Sequence, residues 1–301
     1  MSGLELIMSD TSSLDAVLQD ASGVWMTAPV APERFLEGVV EVDLSGTAEL
    51  DRLRSVMSVA SLPGYVCACG GDIRFEFFDV DARPLTTVVL HHGESLRWQG
   101  WDGHAVLADG HRLLHWLNDH GVPGPLRQME IAQREEEGRQ DARAHWRAAM
   151  PAVVEDLANQ LFALSETGEA ASPELWAELQ DRLNLASPDP VSRALALMAW
   201  FGAGTGRASG YPLHESVPGI LLKEMPIAEI IAALEDPQAN SRHYAGAVRH
   251  LTGWKSRRKQ QRDVARLPEP VKLRLLQQAQ TLSGQNIRDR AERWLAPKRT
   301  T

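Results

Sequence analysis

Short runs of alternating apolar and polar residues mark the first third of the chain, and this alternation is typical of half-buried strands. They predict strands at residues 35–44, 64–69, 72–79, 85–92 and 96–101. Gly70-Gly71 predicts a two-residue hairpin turn between the second and third of these strands, since both glycines tolerate positive φ. The apolar face of this meander is the predicted core face and consists of Val66, Ala68, Ile73, Phe75, Phe77, Val88 and Leu90. Apolar residues at helical spacing predict helices at 47–57 and 110–120.

The pattern changes after Pro123-Gly124-Pro125. Residues 128–147 are strongly charged, with Glu–Arg pairs at helical spacing, and predict a solvated helix. From residue 151 onwards the apolar residues recur with a helical period, and no stretch has the pattern of a strand. The predicted fold class is α+β, with a small antiparallel-sheet N-terminal domain followed by an all-α helical array. The predicted parts are a flexible N-terminal segment (1–24), an α+β meander domain (25–122), a charged linker helix (123–150) and an α-helical repeat-like domain (151–298).

A weak internal repeat lies in the helical part. Arg193-x-x-Ala196, Arg242-x-x-Ala245 and Arg288-x-x-Ala291 start 49 and 46 residues apart. These segments resemble the second helix of HEAT-like repeats, in which the alanine lets neighbouring helices approach and the arginine lies near the helix start. The resemblance covers residues 151–298 and implies an α-solenoid that binds a protein partner along an extended groove. We therefore expect a protein-binding or regulatory function for this half.

Composition and charge narrow the function classes. With 301 residues, 44% of them hydrophobic, the chain is long enough for two globular domains. The net charge of -9 makes nucleic acid and anionic membranes poor partners for the chain as a whole, so such a contact needs a local basic patch. No stretch approaches a transmembrane length, and the N-terminus lacks the basic and apolar regions of a signal peptide. Two cysteines fit a reducing compartment, and we expect a cytoplasmic protein without membrane contact.

No catalytic signature stands out in the sequence. It has no nucleophile elbow and no nucleotide fingerprint, and the spacing of its histidines and carboxylates does not single out an acid–base pair. His111 and His115 have the spacing of a zinc-protease helix, but the segment HRLLH lacks the glutamate that would act as the base. We expect this pair, together with His104 and His120, to face solvent, and we expect a non-enzymatic protein.

The strongest chemical candidate is a group of metal-ligand residues in the meander. With the predicted hairpins, Cys67, Cys69, Asp72 and His91 lie on the polar face of the sheet. A set of this kind can hold a tetrahedral zinc ion, so a zinc- or redox-dependent protein centred on Cys67 and Cys69 is the alternative to a protein-binding function. A one-residue shift of register would replace His91 by His92. The alternative is that the chain needs no cofactor and that both cysteines are small, partly buried residues.

A second candidate is the basic run from Lys255 to Arg262. Its cations can bind phosphates of a nucleic acid or the acidic surface of a protein partner. Its members are Lys255, Arg257, Arg258, Lys259 and Arg262. The alternative, which we favour from the sequence, is a solvated loop between two helices.

Overall fold

A computed structural model describes residues 14–205, 212–253 and 256–296 of the chain. The chain forms two compact units, and the boundary between them lies between Glu136 and Glu137. We call them the sheet unit and the helical unit. The predicted α+β fold class is confirmed, because an antiparallel sheet in the first half is followed by helices in the second. The N-terminal segment predicted to be flexible lies outside the described residues up to residue 13, and residues 14–18 are helical.

The sheet unit is built on a seven-stranded antiparallel sheet in the order β2-β1-β4-β5-β6-β7-β3. Its strands are β1 (Gly23–Thr27), β2 (Val40–Asp43), β3 (Val59–Ser61), β4 (Ile73–Phe78), β5 (Pro84–His91), β6 (Ser95–Trp98) and β7 (His104–Leu107). Its helices are α1 (Pro32–Phe35), α2 (Thr47–Val56) and α3 (Gly110–Asp119). As predicted, α3 begins after Asp109, whose side chain accepts a hydrogen bond from the Arg112 N–H.

The core face of the sheet agrees with the prediction at five of its seven residues. Phe75 pairs with Val88 and Ile73 pairs with Leu90, and all four side chains are fully buried, as is Phe77. The prediction was wrong for Val66 and Ala68, which are exposed. They lie in a segment of residues 62–72 that has neither helix nor strand.

The predicted strand at 64–69 and the predicted hairpin at Gly70-Gly71 are therefore wrong. The reason is topological, because the segment connects β3 at one edge of the sheet with β4 in its interior. Both neighbours of β4 are already present, since β4 pairs with β1 and β5. The 62–72 segment must instead cross over the strands that separate β3 from β4.

Two glycines allow the 62–72 segment to approach the sheet closely. Gly71 has a φ of 85°, and a Cβ there would lie 2.2 Å from Cγ1 of Val89. Gly103, at the start of β7, has a φ of 122°, and a Cβ there would lie 2.8 Å from the Tyr65 carbonyl oxygen. No other residue fits these positions without moving the backbone or its neighbours.

The helical unit contains the second half of a long charged helix and a series of shorter helices. The charged segment is helical as predicted, and the division between the units falls inside it. The helices are α4 (Gly124–Ala148), α5 (Ala158–Thr167), α6 (Pro173–Ala186), α7 (Pro190–Gly202), α8 (Leu213–Lys223), α9 (Ile227–Glu235), α10 (Ser241–Thr252), α11 (Arg257–Ala265), α12 (Glu269–Thr281) and α13 (Gln285–Leu295). A 3-10 helix at Ala152–Leu157 precedes α5.

Two of the three repeat segments share a specific contact. The Arg193 guanidinium donates to the Ser187 carbonyl at 2.9 Å, and the Arg288 guanidinium donates to the Leu282 carbonyl at 3.2 Å. In both cases the acceptor lies six residues before the arginine, in the turn that leads into the helix. This shared contact supports an equivalence between α7 and α13, while the HEAT-like assignment itself stays a prediction.

Candidate metal centre

The 62–72 segment covers the face of β5, β6 and β7 that lies opposite the core. The Tyr65 carbonyl accepts a hydrogen bond from the His104 N–H at 2.9 Å, and the Tyr65 hydroxyl donates to Ser95 Oγ at 3.1 Å. The Tyr65 ring stacks on the His104 ring with 5.2 Å between the centroids. Because of this cover, His91, Ser95 and His104 are buried although they point away from the hydrophobic core.

A turn brings two consecutive histidines to the same side of the chain. His91 is the last residue of β5, and Glu94 N–H donates to its carbonyl at 3.1 Å to close the turn. His92 and Gly93 both have positive φ, 54° and 68°. In a continuing strand His92 would point away from His91. The left-handed backbone at His92, which costs about 1 kcal/mol in a residue with a side chain, turns its imidazole back towards the same cluster.

Two sulfurs and two imidazole nitrogens converge at this point. The Sγ atoms of Cys67 and Cys69 lie 3.0 Å apart. His92 Nε2 lies 3.3 Å from Cys67 Sγ and 3.4 Å from Cys69 Sγ, and His91 Nδ1 lies 3.1 Å from Cys69 Sγ. Ligand atoms of Cys67, Cys69 and His91 all lie within 4.8 Å of one another. The cysteines and histidines are 22 to 25 residues apart, so the cluster joins two separate segments.

These distances are close to those of a tetrahedral zinc site. With Zn–S bonds of about 2.3 Å and Zn–N bonds of about 2.0–2.1 Å, tetrahedral ligand atoms lie about 3.5–3.8 Å apart for sulfur–sulfur and sulfur–nitrogen pairs. The sulfurs of Cys67 and Cys69 would have to separate by about 0.8 Å, and the sulfur–nitrogen pairs that are in contact by a few tenths of an ångström. The rings of His91 and His92, whose centroids lie 6.5 Å apart, would have to bring their ligand nitrogens closer together. Rotation of exposed side chains on a segment without regular structure is enough for such shifts.

The protonation tendencies of these groups suit a metal ligand set. Burial, followed by the charges of His104 and His92, lowers the pKa of His91 to about 4, so its imidazole is neutral at ordinary pH. Hydrogen bonds from Cys69 and then from His92 lower the pKa of Cys67 to about 7. Its thiolate in turn raises the pKa of His92. Burial raises the pKa of Cys69, so Cys67 is the thiol that ionises first.

Asp72, the fourth predicted ligand, has a different place. Its Oδ2 atom accepts a hydrogen bond from the Gly93 N–H at 3.1 Å, and its own N–H donates to the Leu90 carbonyl at 2.7 Å. Asp72 therefore holds the turn that carries His92, and burial raises its pKa. The group of ligand atoms within 4.8 Å of one another consists of Cys67, Cys69 and His91, so Asp72 and His92 both lie outside it. His92 differs from Asp72 in that its Nε2 atom lies 3.3–3.4 Å from both sulfurs.

His104 lies directly behind the cluster and corrects the expectation that it faces solvent. It is fully buried, and its Nδ1 atom accepts a hydrogen bond from the Cys67 N–H at 3.1 Å. The His104 ring contacts the His91 ring edge to face, with 4.3 Å between the centroids. Its Nε2 atom has no hydrogen-bond partner among the described residues. Nothing in the sequence marked His104, since its burial depends on the cover provided by Tyr65.

The basic run forms a helix rather than the loop that the sequence favoured. Lys255 lies outside the described residues, and α11 begins with Arg257. Arg257, Arg258 and Arg262 are exposed, whereas Lys259 is half-buried and donates to the Lys223 carbonyl at 3.1 Å. The structure therefore places the run within the helical unit.

The donor atoms of the cysteine–histidine cluster restrict which metal ion it can bind. Thiolate and imidazole together suit zinc, whereas magnesium and calcium require oxygen ligands. No known protein family, curated protein or solved structure matches the chain. Among the described residues, no helix has the length and apolar character that crossing a membrane requires. The donor atoms and their geometry are thus the basis for assigning a ligand.

Proposed function

We propose that the sheet unit binds one zinc ion through Cys67, Cys69, His91 and His92. The observation that carries this proposal is that the two sulfurs lie 3.0 Å apart and that each imidazole lies 3.1–3.4 Å from at least one sulfur, although the cysteines and histidines are more than 20 residues apart. Cys67, Cys69 and His91 belong to the set expected from the sequence, and His92 takes the place of Asp72. The left-handed turn at His92 supports its inclusion, because a strained backbone at this position aims the ring at both sulfurs.

The zinc ion has a structural role in this proposal. Four protein ligands fill a tetrahedral zinc and leave no position for substrate, which is the arrangement of structural sites. The ion would fasten the 62–72 segment to the end of β5 and to the following turn. Because the metal binds the folded chain and not the unfolded one, it stabilises the fold by an amount that grows with the free zinc concentration.

Metal analysis of the purified protein tests the proposal. We expect about one zinc per chain after expression with zinc, and tetrahedral cobalt absorption with sulfur-to-metal charge transfer after exchange for Co²⁺. The Cys67→Ala/Cys69→Ala double variant should lose the metal. His115→Ala, which removes an exposed histidine of α3, should keep it. Metal-free protein that stays metal-free when zinc is added would contradict the proposal.

The helical unit supports a second candidate function, the binding of a protein partner. The observation in its favour is a groove of about 300 Å³ enclosed by α6, α7, α8 and α9. Leu183, Leu197, Leu221 and Met225 contribute apolar surface, and charged or amide side chains line the rest, including Arg193, Glu224 and Glu229. This mixture suits a partner segment that inserts an apolar side chain flanked by polar groups. Glu229→Arg should weaken binding of a purified partner, whereas Glu76→Arg in the sheet unit should not.

A further inference from the structure

The two sulfurs of the cluster are also placed for a reaction with each other. Cys67 and Cys69 are 3.0 Å apart at Sγ, and a disulfide bond requires about 2.05 Å. Two cysteines at this spacing on a strand have parallel side chains that do not meet well. Here they lie in the 62–72 segment, which has no strand geometry, and Cys69 N–H folds back to donate to Cys67 Sγ at 3.4 Å.

Access and composition favour an intrachain product. Cys69 is exposed and Cys67 is half-buried, so a small oxidant reaches both sulfurs. The chain contains two cysteines in all, so each has only the other as a partner within the molecule. A movement of the two sulfurs towards each other by about 1 Å closes the bond.

We propose that Cys67 and Cys69 form an oxidative modification site, at which a hydroperoxide produces a reversible disulfide. One thiolate attacks a peroxide oxygen, the O–O bond breaks, and a sulfenic acid and one hydroxide or alkoxide result. The second thiol then attacks the sulfenic sulfur and displaces hydroxide, which leaves as water with the thiol proton. Two thiols are oxidised by two electrons in total, and one hydrogen peroxide is reduced to two waters.

Oxidation and metal binding exclude each other at this site. This part of the inference rests on the proposed zinc function. A disulfide has no thiolate to offer, so only His91 and His92 would remain as ligands, and two imidazoles do not hold zinc as four ligands do. Zinc is neither oxidised nor reduced in the step and is simply released. The contact between Cys67 N–H and His104 does not involve sulfur and survives the change.

Intact-mass measurement after peroxide treatment tests the inference on metal-free, reduced protein. We expect the monomer to lose about 2 Da, and dithiothreitol should restore the original mass. Cys69→Ser should gain oxygen instead of losing mass, because the sulfenic acid on Cys67 then has no resolving thiol. A disulfide-linked dimer, or irreversible oxygen addition to both cysteines without loss of mass, would overturn the inference.

The same treatment of zinc-loaded protein separates this inference from the zinc proposal. Release of one zinc per disulfide formed is the expected result, followed with a chromophoric chelator. Disulfide formation in a protein that never binds zinc would leave the modification site standing and remove the metal function. Zinc binding by a protein whose thiols never form the intrachain disulfide would support the metal function and overturn the modification site.

A separate observation concerns the charge of the last helices. Residues 241–301 carry 15 lysines and arginines against four aspartates and glutamates, in a chain with a net charge of -9. Arg258 and Arg262 of α11 and Arg266, which caps its C-terminus, follow one another at four-residue spacing, which places them on one face about 6 Å apart along the axis. The acidic residue of α11, Asp263, is buried, so the exposed charges of the described part of this helix are basic.

Among the described residues, the exposed arginines around α11 differ from other arginines of the helical unit in forming no salt bridge. Arg182 and Arg143 form salt bridges with Asp156 and Glu166. Within the described residues, no salt bridge involves the exposed arginines Arg257, Arg258, Arg262, Arg266 and Arg293. We call the aligned three, Arg258, Arg262 and Arg266, the arginine face. On α13, Arg290 donates to the Thr252 and Gly253 carbonyls, which places α13 beside the segment leading into α11.

We infer that the arginine face binds the phosphate backbone of a nucleic acid. Arginine forks bind phosphate in a bidentate manner, and phosphates would offset the repulsion among crowded cations. Large exposed apolar side chains, which a membrane-inserting helix needs, are missing from the described part of α11. An isolated DNA duplex and a single-stranded RNA of arbitrary sequence are suitable probes.

Fluorescence anisotropy across a salt series tests this second inference. We expect binding that weakens linearly on a log–log plot, and Arg258→Ala/Arg262→Ala should reduce the slope by about 2. Arg74→Ala/Arg83→Ala removes the same charge from the sheet unit and should leave the slope unchanged. Absence of binding at about 50 mM salt, equal loss in both double variants, or binding to anionic vesicles alone would overturn it.

Discussion

The backbone N–H of Cys67 donates to Nδ1 of His104 at 3.1 Å, across 37 residues of sequence. This bond holds the 62–72 segment in position in the metal-free protein. His104 does not touch the metal in our proposal and acts only by positioning Cys67. Groups that orient ligands in this way typically change metal affinity by 10–100-fold when they are removed.

We predict that His104→Ala lowers zinc affinity by about 10–100-fold and leaves the stoichiometry at one. Loss of the hydrogen bond frees the Cys67 backbone, so binding zinc must then order it. Competition with a chromophoric chelator measures the affinity. His115→Ala is the matched control, because it also removes a histidine of the sheet unit. Equal affinities for the wild-type and His104→Ala proteins would show that Cys67 is held by other contacts.

The left-handed backbone at His92 predicts that His92→Gly has opposite effects on the stability of the metal-free and the zinc-loaded protein. His92 has a φ of 54°, which glycine adopts without strain. In metal-free protein, we expect His92→Gly to be neutral or to raise the free energy of unfolding by up to about 1 kcal/mol. In zinc-loaded protein, the same change should lower the free energy of unfolding, since a ligand is lost. Urea denaturation with and without chelator measures both, and destabilisation of equal size in the two states would contradict the ligand role.

The crossing of the sheet by the 62–72 segment predicts a high cost for Gly71→Ala. The new methyl group would lie 2.2 Å from Cγ1 of Val89, at a φ of 85°. We expect a loss of about 2–4 kcal/mol in the free energy of unfolding. Gly64→Ala is the control, since Gly64 has a similar φ of 72° and no atom within 4 Å of the added carbon. Its cost should be about 1 kcal/mol, and equal costs would argue against the close approach.

A buried histidine in the helical unit predicts acid sensitivity. His214 lies 2.9 Å from Ser165 Oγ and packs on Trp146 and Phe162. Burial lowers its pKa to about 4, with Glu215 opposing and Arg143 assisting the shift. The unfolded chain, with a histidine pKa of about 6.5, therefore takes up a proton first as the pH falls. The free energy of unfolding should drop between pH 6.5 and pH 4, by about 2 kcal/mol at pH 5 from this residue.

His214→Gln should remove the part of the pH dependence of the free energy of unfolding that comes from His214. Urea midpoints at pH 7 and pH 5 measure it, and the variant should show a smaller difference between the two than the wild type. Some dependence should remain, since burial also lowers the pKa of His91 and of His243. Identical differences in wild type and variant would mean that His214 is already protonated in the folded protein at pH 5.

The alternation of apolar residues predicted the buried face of β4 and β5, but neither the strands β1, β3 and β7 nor the path of the 62–72 segment. Phe75, Phe77, Val88 and Leu90 repeat at a period of two and lie in β4 and β5, as predicted. Val66 and Ala68 continue the same pattern, yet they lie in a loop, because a local pattern does not specify which strand pairs with which. Strand pairing depends on the tertiary structure. It leaves the 62–72 segment without a strand partner, so this segment is a loop despite its β propensity.

The cluster was predictable in part for the same reason. Cys67, Cys69 and His91 are chemically conspicuous and close in sequence, whereas His92 joins them only through a left-handed turn. His104 joins through burial by Tyr65, which no short pattern reveals. The basic run that begins α11 was evident in the sequence, whereas the alignment of Arg258 and Arg262 on one face depends on the segment being a helix and not the loop that the sequence favoured.

X-ray absorption at the zinc edge of the purified, zinc-loaded protein tests the central claim most directly. The proposal predicts a first shell of two sulfurs at about 2.3 Å and two nitrogens at about 2.0–2.1 Å. The Cys67→Ala/Cys69→Ala variant should bind no stoichiometric zinc. A first shell without sulfur, or a protein that binds no zinc at all, would contradict the assignment of Cys67, Cys69, His91 and His92 as a metal centre.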